Sequence, residues 1–182
     1  MSEAFRIEGR TPLFHSHVFD VERRVIRYDG GTFERDVATH SGAVAVLVIN
    51  DAQEIGLIRQ YRAAFDAPGW EIPAGTRDVD GEDALACAKR ELREEMGCEA
   101  ASWTLLGRFM NSPGWTDQVM TIFEARDLTM TERSPAGPEE TSSSVRWFSK
   151  SELRETLLRE PAIDSTMVVA LHRVFGTFLD ER

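Results

Sequence analysis

The stretch Gly75–Cys98, GTRDVDGEDALACAKRELREEMGC, decides how this chain is interpreted. A loop rich in Gly and Asp leads into residues 82–96, where apolar side chains recur at steps of three and four, at Leu85, Ala88, Leu92 and Met96. This spacing predicts an amphipathic helix. Gly97 is a natural C-terminal stop for it, because glycine readily adopts the left-handed conformation that ends many helices.

Two carboxylates on this helix, Glu91 and Glu95, stand four residues apart and therefore share one face. Like charges at this spacing cost about 0.2–0.5 kcal/mol unless a cation lies between them. Magnesium prefers carboxylate oxygens and bridges to substrate phosphates, so a metal site is one interpretation. The other is a solvated acidic helix face paired with Lys89, Arg90 and Arg93, and the spacing alone leaves both open.

The same stretch resembles the signature box of the Nudix hydrolases. Glu82, the seven residues after it, and the run from Arg90 to Cys98 match that box position by position. Two departures occur: six residues separate Gly75 from Glu82 where the family has five, and Cys98 fills the last apolar position. The extra residue lies in the loop, whereas a slip inside the helix would rotate the carboxylates by about 100° per residue.

The flanking segments are similar to one branch of that family, the ADP-ribose pyrophosphatases. They are Gln60-Tyr61-Arg62, Trp70–Gly75 and Ser112–Asp117. The resemblance implies a Nudix diphosphatase that hydrolyses ADP-ribose to AMP and ribose 5-phosphate with Mg²⁺ or Mn²⁺. Two alternatives stay open: hydrolysis of another nucleoside diphosphate sugar, and a Nudix domain that senses ADP-ribose-like metabolites without cleaving them.

The resemblance also implies roles for residues of the box. Glu91 and Glu95 would be metal ligands together with the Ala74 carbonyl oxygen. Glu94 would be a further ligand or would orient the others, and Arg90 would hold the carboxylates in place by ion pairing. Glu82 would support the loop less directly.

The general base would come from a mobile loop after the box. Glu139 and Glu140 are the candidates, in the long polar stretch Leu128–Ser144, with a narrow preference for Glu140. A loop of this length inside a compact domain is often functional, and a mobile loop suits closure over substrate. The alternative is a solvated acidic loop.

Three further residues could bind substrate. Arg62 could contact the phosphates, with a structural ion pair as the alternative. Trp70 and Trp115 could stack on adenine, although an aromatic residue beside Pro and Gly is as often a loop anchor.

The rest of the chain predicts an α/β (α+β) fold, the Nudix fold, with a mixed β-sheet sandwiched between helices. Alternation around Asp29-Gly30-Gly31 predicts an N-terminal β-hairpin within residues 18–39. Residues 1–40 would form this strand pair, which the resemblance implies as a dimerisation element, and residues 41–182 the Nudix domain. Further strands are expected at Ala43–Ile49, Ile55–Tyr61, Trp103–Phe109, Gln118–Ala125 and Val145–Phe148, and helices from Ser149 to about Glu160 and over residues 167–178.

Charge and composition restrict the partners. The formal net charge is −10, which disfavours nucleic acid and anionic membranes. The N-terminal residues show no export signal and no apolar run is long enough to span a membrane, so we expect a cytoplasmic protein. The resemblance implies a homodimer that acts on a nucleoside diphosphate sugar. Cys87 and Cys98 lack the spacing of a zinc or redox pair and are expected as buried thiols.

Overall fold

The computed structural model describes residues 5–179. These residues form two compact units. The first contains the described residues up to Gly42 together with Met110–Val119, and the second contains Ala43–Phe109 and the described residues from Met120 onward. Within the described range, no helix is both long enough and apolar enough to cross a membrane.

The first unit is built on a three-stranded antiparallel sheet. Its strands are β1 (Phe5–His15), β2 (Asp20–Tyr28) and β3 (Gly31–Thr39), in the order β1-β2-β3. The hairpin predicted within residues 18–39 is β2 and β3. The sequence did not predict β1, since Gly9 and Pro12 interrupt it and nearly all of its side chains are exposed.

A loop later in the chain belongs to this unit. The Ala38 N–H donates to the carbonyl oxygen of Trp115 at 2.8 Å, and the Asp117 N–H donates to the Ala38 carbonyl at 3.2 Å. Arg24 donates to the Asp117 carboxylate at 2.7 Å. The division of the chain into residues 1–40 and 41–182 stays a prediction.

The second unit contains a seven-stranded mixed sheet. Its main path runs β10-β5-β4-β9-β8, with β6 paired to β5 and β7 paired to β4. Strand β4 is parallel to β9 and antiparallel to β5 and β7, so the sheet is mixed as predicted. The strands are β4 (Ala43–Ile49), β5 (Ile55–Arg62), β6 (Ala67–Glu71), β7 (Ala74–Thr76), β8 (Cys98–Met110), β9 (Val119–Met130) and β10 (Ser144–Phe148).

Strand β4 is buried along its whole length, and its two faces contribute to two apolar clusters. Side chains of the odd-numbered residues, such as Leu47, pack with the helices α3 (Lys150–Leu157) and α4 (Ser165–Phe175). Those of the even-numbered residues, such as Val46, pack with α1 (Ala84–Glu91). Because strand side chains alternate between faces, one continuous apolar run supports both layers, and the predicted sheet between helices is confirmed.

The predicted helix over 82–96 is present in two parts. Helix α1 begins after Asp83, whose Oδ1 accepts from the Ala86 N–H at 2.8 Å and caps the first turn. A π-helical segment, Leu92–Met96, continues it and ends at Gly97, which has φ 65°. The sequence did not predict the π-helical segment, a feature that occurs frequently at functional sites.

The long polar stretch predicted after residue 128 is more ordered than expected. Strand β9 continues to Met130, and a short helix, α2 (Gly137–Thr141), forms before β10. Thus the irregular part is limited to 131–136 and the two residues after α2. Pro138 lies in the first turn of α2, a position that proline tolerates because the N–H there has no helical acceptor.

Candidate active site

The two carboxylates predicted to share a helix face are both buried. Glu91 is 7% exposed and Glu95 is 3% exposed. Burial raises the pKa of Glu91 to about 7 and that of Glu95 to about 8, since a charge loses solvation inside the protein. The Ala74 N–H opposes the shift at Glu95 by donating to its Oε2 at 2.8 Å. Two buried acids in contact with a loop backbone are unusual for a purely structural helix face.

The loop that carries Gly75 lies directly against Glu91. A Cβ placed on Gly75 would come within 2.0 Å of both Cδ and Oε1 of Glu91. Only glycine leaves room for the carboxyl group at this point. The Gly of the sequence box therefore has a steric explanation.

Arg90 connects the acidic residues of the helix. Its Nε and Nη2 donate to the two carboxylate oxygens of Glu82, both at 3.2 Å. Its Nη1 donates to Glu91 at 2.7 Å and to Glu94 at 3.2 Å. The hydrogen bonds to Glu82 contribute most to raising the pKa of Arg90 and the charge of Glu91 adds to the shift, so the group stays charged.

The donor set suits a hard divalent cation. Glu91, Glu94 and Glu95 supply carboxylate oxygens, which Mg²⁺ and Mn²⁺ prefer. Burial disfavours the charged forms of Glu91 and Glu95 and so raises their pKa values. A bound cation would stabilise these charged forms. Among residues 5–179, no three His, Cys, Asp or Glu side chains are already arranged around one point that would hold an ion.

The loop glutamates lie on α2. Glu140 is half-buried, and its Oε2 accepts from the Ala136 N–H at 2.7 Å. Its charge contributes to the raised pKa values of Glu91 and Glu95. Glu139 is exposed, and its charge instead acts on Arg62. The structure thus brings Glu140 near the buried carboxylates.

Known proteins resemble this chain over most of its length. Residues 39–169 match the NUDIX domain model. The chain belongs to the Nudix family. It is 34% identical over 169 residues to an ADP-ribose pyrophosphatase of Mycobacterium tuberculosis, covering 91% of this chain and 82% of that protein. It is 36% identical over 125 residues to an ADP-ribose pyrophosphatase of Bacillus subtilis, covering 68% and 67%.

The fold also has a solved counterpart. The crystal structure of an ADP compounds hydrolase superposes with a TM-score of 0.78 at 24% identity, covering 93% of this chain and 91% of that one. The match confirms the predicted Nudix fold. Together with the family match, the relatives identify the chain as a Nudix hydrolase, as the resemblance implied.

Arg62 of this Nudix hydrolase is engaged in an ion pair. Its Nε donates to Glu71 Oε1 at 2.9 Å and its Nη2 to Oε2 at 2.6 Å. The pKa of Arg62 is raised mainly by this bidentate contact, and the charge of Glu95 adds to the shift. The structural ion pair considered for Arg62 is therefore present. The guanidinium also interacts electrostatically with the buried carboxylate of Glu95.

Gln60 was not assigned a role from the sequence. Its side chain is 4% exposed, and its Oε1 is buried without a hydrogen-bond partner in the described part of the chain. Gln60 faces Gly69 in the β5–β6 register, while Ile58 faces Glu71. The Arg62–Glu71 pair therefore spans the position of Gln60. The signal in the sequence was a polar residue, Gln60, on the same strand face as the apolar Ile58.

The two tryptophans occupy different environments. Trp70 is 9% exposed, and its ring packs edge-on against Phe148 with centroids 5.0 Å apart. This burial favours the anchoring alternative for Trp70 over stacking on a base. Trp115 is 60% exposed and lies in the first unit, where its backbone bonds Ala38.

Proposed function

We propose that this Nudix hydrolase cleaves the diphosphate of ADP-ribose, with a divalent metal, into AMP and ribose 5-phosphate. The observation that carries the chemistry is the pair of buried carboxylates, Glu91 and Glu95, held by Arg90 and the Ala74 N–H. The choice of substrate is supported by the two ADP-ribose pyrophosphatases that the chain resembles over most of its length.

Glu91 and Glu95, with Glu94 and the Ala74 carbonyl oxygen, would hold the Mg²⁺ or Mn²⁺. When bound, the metal neutralises diphosphate charge and favours ionisation of water. Arg90 keeps the carboxylates of Glu91 and Glu94 oriented by donating to both. Glu82 in turn holds the guanidinium of Arg90 through two hydrogen bonds.

Glu140 is the preferred base and Glu139 the second candidate. The base accepts a proton from the attacking water as the water oxygen bonds to one phosphorus of the diphosphate. The bond from this phosphorus to the bridging oxygen breaks, and the bridging oxygen leaves with the phosphate of the other product. Glu140 is favoured because its charge acts on both buried carboxylates. Arg62 would donate to phosphate oxygens from its position beside Glu71.

The test is turnover of a substrate panel with Mg²⁺ or Mn²⁺, with products separated by chromatography. The panel contains ADP-ribose, GDP-mannose, UDP-glucose, NADH and diadenosine polyphosphates, with an EDTA control. AMP and ribose 5-phosphate as the dominant metal-dependent products support the proposal. Preferred cleavage of another member replaces the substrate, and tight ADP-ribose binding without turnover favours the sensor.

We also propose that the chain acts as a cytoplasmic homodimer through its N-terminal sheet. Strand β1 exposes large apolar side chains, with Phe5 64% and Phe14 56% exposed. The ring of Phe5 stacks on Tyr28 with centroids 6.2 Å apart, and Phe33 packs edge-on against Tyr28 at 5.8 Å. An exposed apolar cluster of this kind often marks an interaction surface.

A further inference from the structure

We propose that Arg133 is a positioning residue that holds α2, with Glu139 and Glu140, against the end of the π-helical segment Leu92–Met96. The inference rests on the proposed function, in which Glu140 is the base. Arg133 itself lies outside the signature box and has no role implied by the resemblance. Its contacts join three parts of the second unit.

The first contacts fix residues 131–134 to the end of the helix. The Thr131 N–H donates to the Gly97 carbonyl at 2.7 Å, and the Ser134 N–H donates to the Glu94 carbonyl at 3.2 Å. Between them, Arg133 packs on Gly97 so closely that a Cβ on this glycine would lie 2.7 Å from Arg133 Cγ. The backbone leading into α2 is therefore attached to the segment that carries the buried carboxylates.

The second contacts fix the far side of α2. Arg133 Nη2 donates to Ser143 Oγ at 2.7 Å. Ser143 Oγ donates to the Glu140 carbonyl at 2.7 Å, and the Ser143 N–H donates to the same oxygen at 3.0 Å. Arg133 thus contacts a residue ten positions later in the chain, and the Ser143 side chain links it to the backbone of Glu140.

The charge and the donors of the Arg133 guanidinium have few partners for a residue with only a structural role. Among the described residues, Arg133 makes no ion pair with a carboxylate, and its Nε is buried without an acceptor. A buried donor without an acceptor is destabilising, because it has lost its hydrogen bonds to water. An arginine at this position is explained if its contact with Ser143 positions Glu140, the proposed base.

The expected effect follows from the geometry of proton transfer. Without the bridge, α2 keeps its own hydrogen bonds, yet Glu140 is no longer held relative to Glu91 and Glu95. Misplacement of a reacting group by about 1 Å can cost about 10²-fold in rate. Substrate binding by groups outside α2 would be little affected.

The test compares Arg133→Gln and Arg133→Lys with Arg159→Gln, a matched control whose side chain is 80% exposed. We expect Arg133→Gln to lower kcat for ADP-ribose by about ten- to a hundredfold with KM changed less than about twofold. Arg133→Lys should recover part of the loss because it retains a donor and the charge. Wild-type kcat in Arg133→Gln would overturn the proposal.

Dependence on the base is tested in the Glu140→Gln background. There, Arg133→Gln should lower kcat little further, because the two residues act through one group. Effects that simply multiply would overturn the proposal.

Hydrogen exchange separates this proposal from the proposed function. Arg133→Gln should speed exchange of the amides in residues 136–143 at an unchanged thermal midpoint, whichever substrate the enzyme cleaves. If Glu140→Gln or the substrate panel contradicts the proposed function, faster exchange still supports the positioning role. Unchanged exchange in these amides overturns it.

Discussion

The carboxyl group of Glu91 occupies the space that a side chain at residue 75 would need. A Cβ on Gly75 would lie 2.0 Å from Glu91 Cδ, which no real contact allows. The glycine of the loop and the carboxylate of the helix are thus one steric unit.

Substitution of Gly75 by Ala should therefore displace Glu91. We expect Gly75→Ala to lower kcat by about 10²-fold or more, because a ligand shifted by about 1 Å no longer meets the metal correctly. Steady-state kinetics with varied Mg²⁺ measures the loss. Gly114→Ala is the control, since a Cβ there meets no atom within 4 Å. Wild-type activity in Gly75→Ala would show that Glu91 has no such role.

Glu95→Gln removes the buried charge and keeps the side-chain shape. Its amide oxygen can still accept from the Ala74 N–H, so the fold should be preserved. We expect turnover to fall by about 10²–10⁴-fold, as for loss of an essential charged group in metal-assisted catalysis. Turnover and circular dichroism are measured together. Near-normal turnover would dismiss the metal assignment.

The same carboxyl group predicts how stability depends on pH without metal. Burial raises the pKa of Glu95 to about 8, so the folded state retains a proton that the unfolded state has lost. The stabilising contribution is complete below about pH 4.3 and is lost as pH rises through the folded value. In EDTA, the thermal midpoint should fall as the pH rises from about 5 to about 8 and level off above that, and Glu95→Gln should reduce this fall. An equal fall of the thermal midpoint with pH in wild type and in Glu95→Gln would contradict the raised pKa assigned to Glu95.

Arg90→Ala should impair both activity and stability. It removes the cation that donates to Glu82, Glu91 and Glu94, and it leaves Glu91 buried without this partner. We expect a loss of about 2 kcal/mol in the free energy of unfolding, less than for a fully buried pair because Arg90 is a quarter exposed. Urea denaturation measures it. Arg93→Ala, an exposed neighbour on the same helix, is the control.

The oligomeric state tests the N-terminal sheet. Wild-type protein should sediment at about twice the chain mass of 20.5 kDa. Phe5→Asp should shift the equilibrium towards the monomer, because it places a charge in the exposed aromatic cluster. Phe65→Asp, at a phenylalanine of the second unit that is 76% exposed, should not. A wild-type monomer would refute the dimer.

Features set by local spacing were predictable from the sequence. The helical span, its end at Gly97 and the shared face of Glu91 and Glu95 follow from the repeat of about 3.6 residues per turn. The capping serine at residue 149 was also predicted, and its Oγ accepts from the Glu152 N–H. These features depend on residues within one or two turns of each other.

Elements with weak local patterns were missed. Strand β1 begins with an alternation of apolar and charged residues at Phe5 and Ile7, but Gly9 and Pro12 interrupt it, so no apolar face continues along the strand. Helix α2 is only five residues long, and its start depends on a Glu140 side chain that bonds the Ala136 N–H. Such short elements are stabilised by specific contacts rather than by periodicity.

The sequence by itself determined the family, the order of the main strands and which carboxylates share the helix face, because these depend on spacing along the chain. The tertiary structure decided what each functional side chain contacts. It paired Arg62 with Glu71, placed the Ala74 N–H on Glu95 and buried Trp70 against Phe148. These contacts depend on strand register and on loops meeting a distant helix, which spacing along the chain does not specify.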